Sequence, residues 1–218
     1  MSRQEVLATV GPNITLWSAR RNAADGGFFR LATKPTAGEA GAWLMHGFGW
    51  AKALDLPGFK GLLAANQGGI RWYPIAAFLP GSKVEGWGFQ TAGAPMTAAL
   101  AEDFNGDGVP EVVLAREDGF VNVISLAEGK MITLLNAKGP VLGLAALHGR
   151  AGRSALVVGT KLGVQAYGSD FQPLGGRALP VAAFAGPGGK SGDRVFVVEP
   201  SGAARVLVLA VDPKEKQP

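Results

Sequence analysis

Residues 101–123, AEDFNGDGVPEVVLAREDGFVNV, decide how this chain folds. Asp103, Asn105, Asp107 and Glu111 crowd around Gly106 and Gly108, and a run of apolar, partly β-branched residues follows at once. The opening D-x-N-x-D-G is shared with the helix–loop–helix calcium motif. That motif needs a bidentate glutamate at its twelfth position, and Leu114 stands there. Pro110, Val112 and Val113 also oppose a helix after the loop. The acidic segment therefore leads into a strand. The second half, EVVLA-REDG-FVNV, reads as strand, turn and strand, with Gly119 supplying the positive φ that the turn requires.

The same unit recurs along the chain. EVLATVGPNITLW (5–17), GLLAANQGGIRWY (61–73), ALVVGTKLGVQAY (155–167) and RVFVVEPSGAARV (194–206) repeat it, with Asn13, Gly69, Gly163 and Gly202 as the expected turn residues. Pro95, Pro140 and Pro180 each precede a further apolar stretch, and proline, which cannot donate to a ladder, suits the residue that enters a strand. Each unit then reads as an inner strand, a loop, a hairpin pair and an outer strand. Four strands in about 40 to 50 residues is the size of a β-propeller blade. The predicted fold class is all-β: a β-propeller of about five four-stranded blade-like repeats. They fall at residues 4–39, 40–94, 95–139, 140–179 and 180–211, before a solvated tail at 212–218. A β-sandwich is the alternative, but it does not require one unit five times. The first unit starts at its second strand and the last stops after its third. These gaps do not merge into one four-stranded sheet, which raises the expectation of a larger ring of about seven blades, completed by an upstream segment or a second chain. Direct closure of five blades is the other reading.

Composition narrows the function. Apolar residues make up 47% of the chain and charged ones 17%, which excludes disorder, while 33 glycines and 14 prolines punctuate many short strands. A net charge of +4, with the basic residues scattered, provides no stripe for nucleic acid. No apolar run reaches the roughly 20 residues of a membrane span. The absence of cysteine excludes disulfides and thiolate sites. The start, MSRQEVLATVGPN, lacks the apolar stretch of a secretory signal, so the compartment is not assigned from it.

The acidic loop carries the chemistry. Oxygen donors at alternate positions suit a hard cation such as Ca²⁺, which takes six to eight oxygens at about 2.3–2.6 Å. Asp103, Asn105, Asp107, the Val109 carbonyl and Glu111 are the candidate ligands. A metal-free Asx-type turn is the alternative. DFNGDGVPEVVLA resembles the calcium loop of FG-GAP or VCBS repeats, as in integrin-type propellers. The resemblance covers this one unit and departs from the pattern at Glu111, where aspartate is usual. It implies a structural Ca²⁺ on the same residues and an extracellular or periplasmic setting. The matching loops of the other units keep no paired acids: His148 and Gly188 occupy the position of Asp103. DGFVNVISLAEGKMITLL is similar to quinoprotein-type propeller repeats in architecture alone. Leu134 and Leu135 stand where that family docks a tryptophan, so no quinone cofactor is implied.

Other motifs fail or stay open. GPGGKSGD, at 186–193, lacks the first glycine of a phosphate loop, Phe184 standing there, and precedes a strand-like RVFVV. No G-x-S-x-G elbow accompanies the two histidines. Trp43, Phe48, Trp50, Trp72 and Trp87 concentrate in one unit, either filling space between blades or forming an exposed patch for a protein or a sugar. The expected function is a non-enzymatic, calcium-stabilised propeller that binds a protein or glycan partner. The alternative is a carbohydrate-active lyase or hydrolase with its site on the channel face.

Overall fold

The computed structural model describes residues 6–10, 13–18, 29–35, 49–66, 68–79, 81–91, 93–148, 153–186 and 194–208, with backbone alone for those before residue 49. The chain divides into two compact units, Met1–Gly88 and Phe89–Pro218. In the first lie β1 (Val6–Val10), β2 (Asn13–Ser18) and β3 (Phe29–Pro35), paired in that order. A second sheet follows with β4 (Gly49–Leu56), β5 (Phe59–Asn66), β6 (Gly69–Pro74) and β7 (Gly88–Gln90), again in chain order. The second unit holds three more sheets. The first contains β8 (Met96–Glu102), β9 (Glu111–Arg116), β10 (Phe120–Ser125) and β11 (Met131–Asn136). The next contains β12 (Val141–His148), β13 (Ser154–Thr160), β14 (Gly163–Tyr167) and β15 (Pro173–Ala178). The last contains β16 (Ala183–Ala185), β17 (Arg194–Val198) and β18 (Ala204–Val208). Every sheet is an antiparallel meander of consecutive strands, which is the topology of a propeller blade. No helix among the described residues is long and apolar enough to cross a membrane.

The turns follow local chemistry. Gly119, Gly163 and Gly202 take φ values of 89°, 151° and 85°, where a side chain would be strained. Three expected turn residues are displaced, and Gly163 is one of them, pairing with Thr160 as the first residue of β14. Gly69 pairs with Asn66 as the first residue of β6, and Asn66 Oδ1 accepts the N–H groups of Gly68 (2.8 Å) and Gly69 (3.1 Å). The asparagine therefore closes that turn from inside the ladder. Asn13 likewise begins β2, and the turn residues 11 and 12 lie outside the described residues.

Within the second unit the sheets stack face to face and share cores. Val113 and Ala115 of β9 join Phe104, Val121, Leu156 and Val158 in one core, while Val112 and Leu114 are buried on the opposite face. Val157 of β13 turns to a second core with Leu147, Val164, Val195, Val197 and Leu207. A sheet that walls two cores must be apolar on both faces, which is why these central strands read as unbroken apolar runs. The leading strands β8, β12 and β16 pack side by side in succession, which makes them the inner edge of the stack. Phe184 on β16 seats over Gly143 and Gly159 of the preceding sheet. A Cβ on Gly159 would lie 2.4 Å from the Phe184 ring. Gly159→Val is therefore expected to cost about 2–3 kcal/mol by overpacking. Adding Phe184→Ala should recover part of that loss in a urea-melt double-mutant cycle. Purely additive losses would show that the two residues do not touch.

Candidate metal centre

The acidic loop, residues 103–110, joins β8 to β9 at one end of their sheet, where Glu102 and Glu111 pair directly across the ladder. Phe104 pins the loop. Its ring is fully buried against Phe171, edge to face at 5.5 Å and 66°. Its carbonyl accepts the Ser154 N–H at 2.9 Å, which ties the loop to the next sheet. Gly108, at φ 87°, turns the chain where the spacing of the acids requires it.

The carboxylates serve the loop's own backbone. Asp103 accepts N–H bonds from Gly106 and Gly108, both at 2.8 Å, and Asp107 accepts that of Val109 at 2.7 Å. Asn105 Oδ1 takes the Asp107 N–H at 2.8 Å. Two carboxylates nevertheless converge: the Asn105 amide nitrogen donates to Asp107 Oδ2 and to Glu111 Oε1, each at 3.0 Å. Among the described residues no three His, Asp or Glu side chains stand as a ready metal cluster, because Asp103 is turned onto the backbone. Asp107 and Glu111 each accept from the one Asn105 amide nitrogen, so a hydrogen-bond donor stands between the two carboxylates where an ion bridging them would have to sit.

Glu111 sets the electrostatics. It is 4% exposed, and its other oxygen accepts the Phe104 N–H at 2.9 Å. Burial pushes its carboxyl up to about 7, the Phe104 N–H opposes that shift, and the charges of Asp107 and Asp103 add to it. An open cleft of about 390 Å³, lined by Asn105, Glu111, Arg153, Ser169 and Asp170 among others, gives solvent access to this corner.

The remaining candidates separate. Trp43 and Phe48 lie outside the described residues. Trp72 is 6% exposed, with its ring over Gly61, so it belongs to the core and not to an exposed patch. Both faces of this sheet are buried at its centre: Trp72 pairs with the buried Leu63 on one, and Tyr73 with the buried Leu62 on the other. Trp50 and Trp87 are half-buried, and the Trp87 carbonyl accepts the Trp72 N–H at 2.9 Å. His148 ends β12, with Ser154 Oγ 3.0 Å and Glu102 Oε1 3.8 Å from the same ring nitrogen, Nδ1. A catalytic relay needs the two partners on opposite nitrogens, so this trio does not make one. Glu102 was not singled out by spacing. Only strand register brings it opposite Glu111 and beside His148. Residues 187–193 of the glycine-rich GPGGKSGD stretch lie outside the described residues, and the segment after them is the strand β17.

No family profile and no curated protein matches this chain. Its fold has solved counterparts. BBS1N, solved in complex with ARL6DN and soaked with lead, superposes with a TM-score of 0.59 at 17% identity, over 93% of this chain and 61% of that one. A chain of an active polycomb repressive complex 2 in the basal state gives 0.56 at 15% identity, over 77% and 38%. The computationally designed Ika4 protein gives 0.50 at 16% identity, over 69% and 86%. The chain thus spans less than two thirds of the BBS1N and polycomb chains. At these identities the likeness is one of fold, and the fold is a β-propeller.

Proposed function

We propose that this chain is a non-enzymatic binding module for a protein partner, with the corner between β8 and β9 clamped by Ca²⁺ as in FG-GAP repeats. The convergence of Asp107 and Glu111 on the Asn105 amide carries the metal half of this reading. Turning that amide over would exchange its donor for an oxygen, at the loss of the Asp107 N–H bond that Oδ1 now accepts, and a cation would offset the burial that chiefly raises the Glu111 carboxyl. Support for a protein partner comes from the fold's counterparts: BBS1N was solved with ARL6DN, and another counterpart stands within polycomb repressive complex 2. The carbohydrate-active alternative finds no such support. Outside the loop, Asp55, Asp118, Glu128 and Glu199 pair with Lys60, Arg116, Lys130 and Arg205 within their own hairpins.

Thermal melts in millimolar calcium and in EDTA test the metal. Saturation at a hundred times the dissociation constant adds about 2.7 kcal/mol, which raises Tm by about 5–10 °C for a chain of this size. The rise should vanish in Asp103→Asn/Asp107→Asn. Superimposable melts with and without calcium would remove the clamp.

A further inference from the structure

We infer that Asn105 is a self-modification site: its side chain loses ammonia to the backbone of Gly106 when the acidic loop opens, and the folded loop latches that reaction shut. The chain has six asparagines, and Asn105 is the one followed by glycine. Asn66 and Asn122 are buried within strands. Asn105 and Gly106 are exposed, within reach of water. With no Cβ at position 106, nothing shields that nitrogen or hinders the rotation that brings it to the neighbouring side chain. The Gly106 nitrogen attacks Cγ of Asn105. A C–N bond forms, the Cγ–Nδ2 bond breaks, and Nδ2 leaves with the Gly106 proton as ammonia. Water then opens the cyclic imide at either carbonyl, which gives aspartate or isoaspartate. The net reaction consumes one water, releases one ammonia and needs no oxidant or reductant.

In the folded loop every group of the first step is engaged. The nucleophile, the Gly106 N–H, donates to Asp103 Oδ1 at 2.8 Å. The carbonyl to be attacked accepts the Asp107 N–H at 2.8 Å through Oδ1. The leaving nitrogen donates to Asp107 Oδ2 and Glu111 Oε1, each at 3.0 Å. Ring closure must swing the side chain away from these partners and draw the Gly106 N–H off Asp103, so the bonds break before the new one forms. Three of them end on carboxyl oxygens, which hold an N–H more strongly when ionised than a neutral acceptor does. The opening required is local. The buried Phe104 anchors one end of the loop and the β8–β9 ladder, closed by Glu102 and Glu111, anchors the other, so residues 105–109 can come loose while the sheet stays formed. The products matter for the corner. Aspartate replaces the donor shared by Asp107 and Glu111 with a further carboxylate, and isoaspartate adds a methylene to the main chain just ahead of β9.

Incubating the full chain at neutral pH in EDTA, folded and in urea, tests the latch. Peptide mapping by mass spectrometry locates the amide lost, and isoaspartyl methyltransferase labelling detects the isoaspartate. The expected result is loss at Asn105 ahead of the other asparagines, slower in the folded chain than in urea by more than about tenfold. Asp103→Ala, which frees the Gly106 N–H, should speed the folded reaction by about tenfold, the worth of one charge-assisted hydrogen bond. Asp107→Ala, which frees the Asn105 amide, should act in the same direction. Phe184→Ala, packed against the other core, lowers global stability without touching the loop and should leave the rate unchanged. Equal rates in the folded and unfolded wild type overturn the inference, as does earlier loss at another asparagine. An acceleration in Phe184→Ala equal to that in the loop variants overturns it too, since the gate would then be global unfolding. EDTA keeps calcium out of every arm, so this inference and the metal clamp fail separately.

Discussion

Replacing Phe104 with alanine is expected to lower the free energy of unfolding by about 3–5 kcal/mol, the upper range for loss of a buried aromatic side chain. The ring has no exposed surface, meets Phe171 edge to face, and lies in the core shared by two sheets with Leu156 and Val158. Neither sheet can close the resulting cavity without shifting a ladder, because the Phe104 backbone is bonded to Glu111 on one side and Ser154 on the other. Phe104→Leu keeps most of the volume and should cost less than about 1.5 kcal/mol. Urea titration of the calcium-free protein measures both values. A loss below about 1 kcal/mol for the alanine variant would mean that the loop is not anchored through this ring. Under the proposed calcium clamp, affinity for the ion should fall in Phe104→Ala as well, since an unpinned loop must be ordered by the ion itself.

The second large effect is a pH dependence of the calcium-free protein. Glu111 has a carboxyl near 7 in the folded chain against 4.5 in a free side chain. Between those values the folded protein holds a proton that the unfolded chain has released, so stability falls as pH rises. The stabilisation is fully present below pH 4.5 and is lost as pH passes through about 7. A shift of this size corresponds to about 2–3 kcal/mol across the window. Urea melts from pH 4.5 to 8 in EDTA should show that decline, and Glu111→Gln, which stays neutral throughout, should flatten it. Under the proposed clamp, calcium would select the ionised carboxylate, so its addition should reverse the loss above pH 7 in the wild type only. An equal slope in Glu111→Gln, or stability that rises with pH relative to that variant, contradicts the assignment of the titration to Glu111.

The fold was legible because its repeat is built from local signals. The glycines at 119 and 202 mark turns that need positive φ, and Pro95 and Pro140 stand immediately before β8 and β12. The exceptions are instructive. Gly69 was expected at a turn and lies in a strand because the Asn66 side chain closes the turn one step earlier. Trp72 could be read as core or as patch until packing covered both faces of its strand. A tryptophan carries no local mark of which face of its strand will be covered.

The chain's own order of residues determined the meander of short strands, the turns and the gathering of acids after β8, since each depends on backbone preferences within a few residues. Tertiary structure alone decided which side chains those acids would meet. Phe104 docks in the core between two sheets, Glu111 is buried beside Asp107, and Glu102 comes opposite Glu111 with His148 beyond it. It also decided that Phe196 stays half-exposed while Val195 and Val197, its neighbours in sequence, are covered. Alternation along a strand says that two faces exist. Only the stacking of sheets says which of them another sheet will close, because that contact joins segments about 40 residues apart and depends on shapes no local pattern encodes.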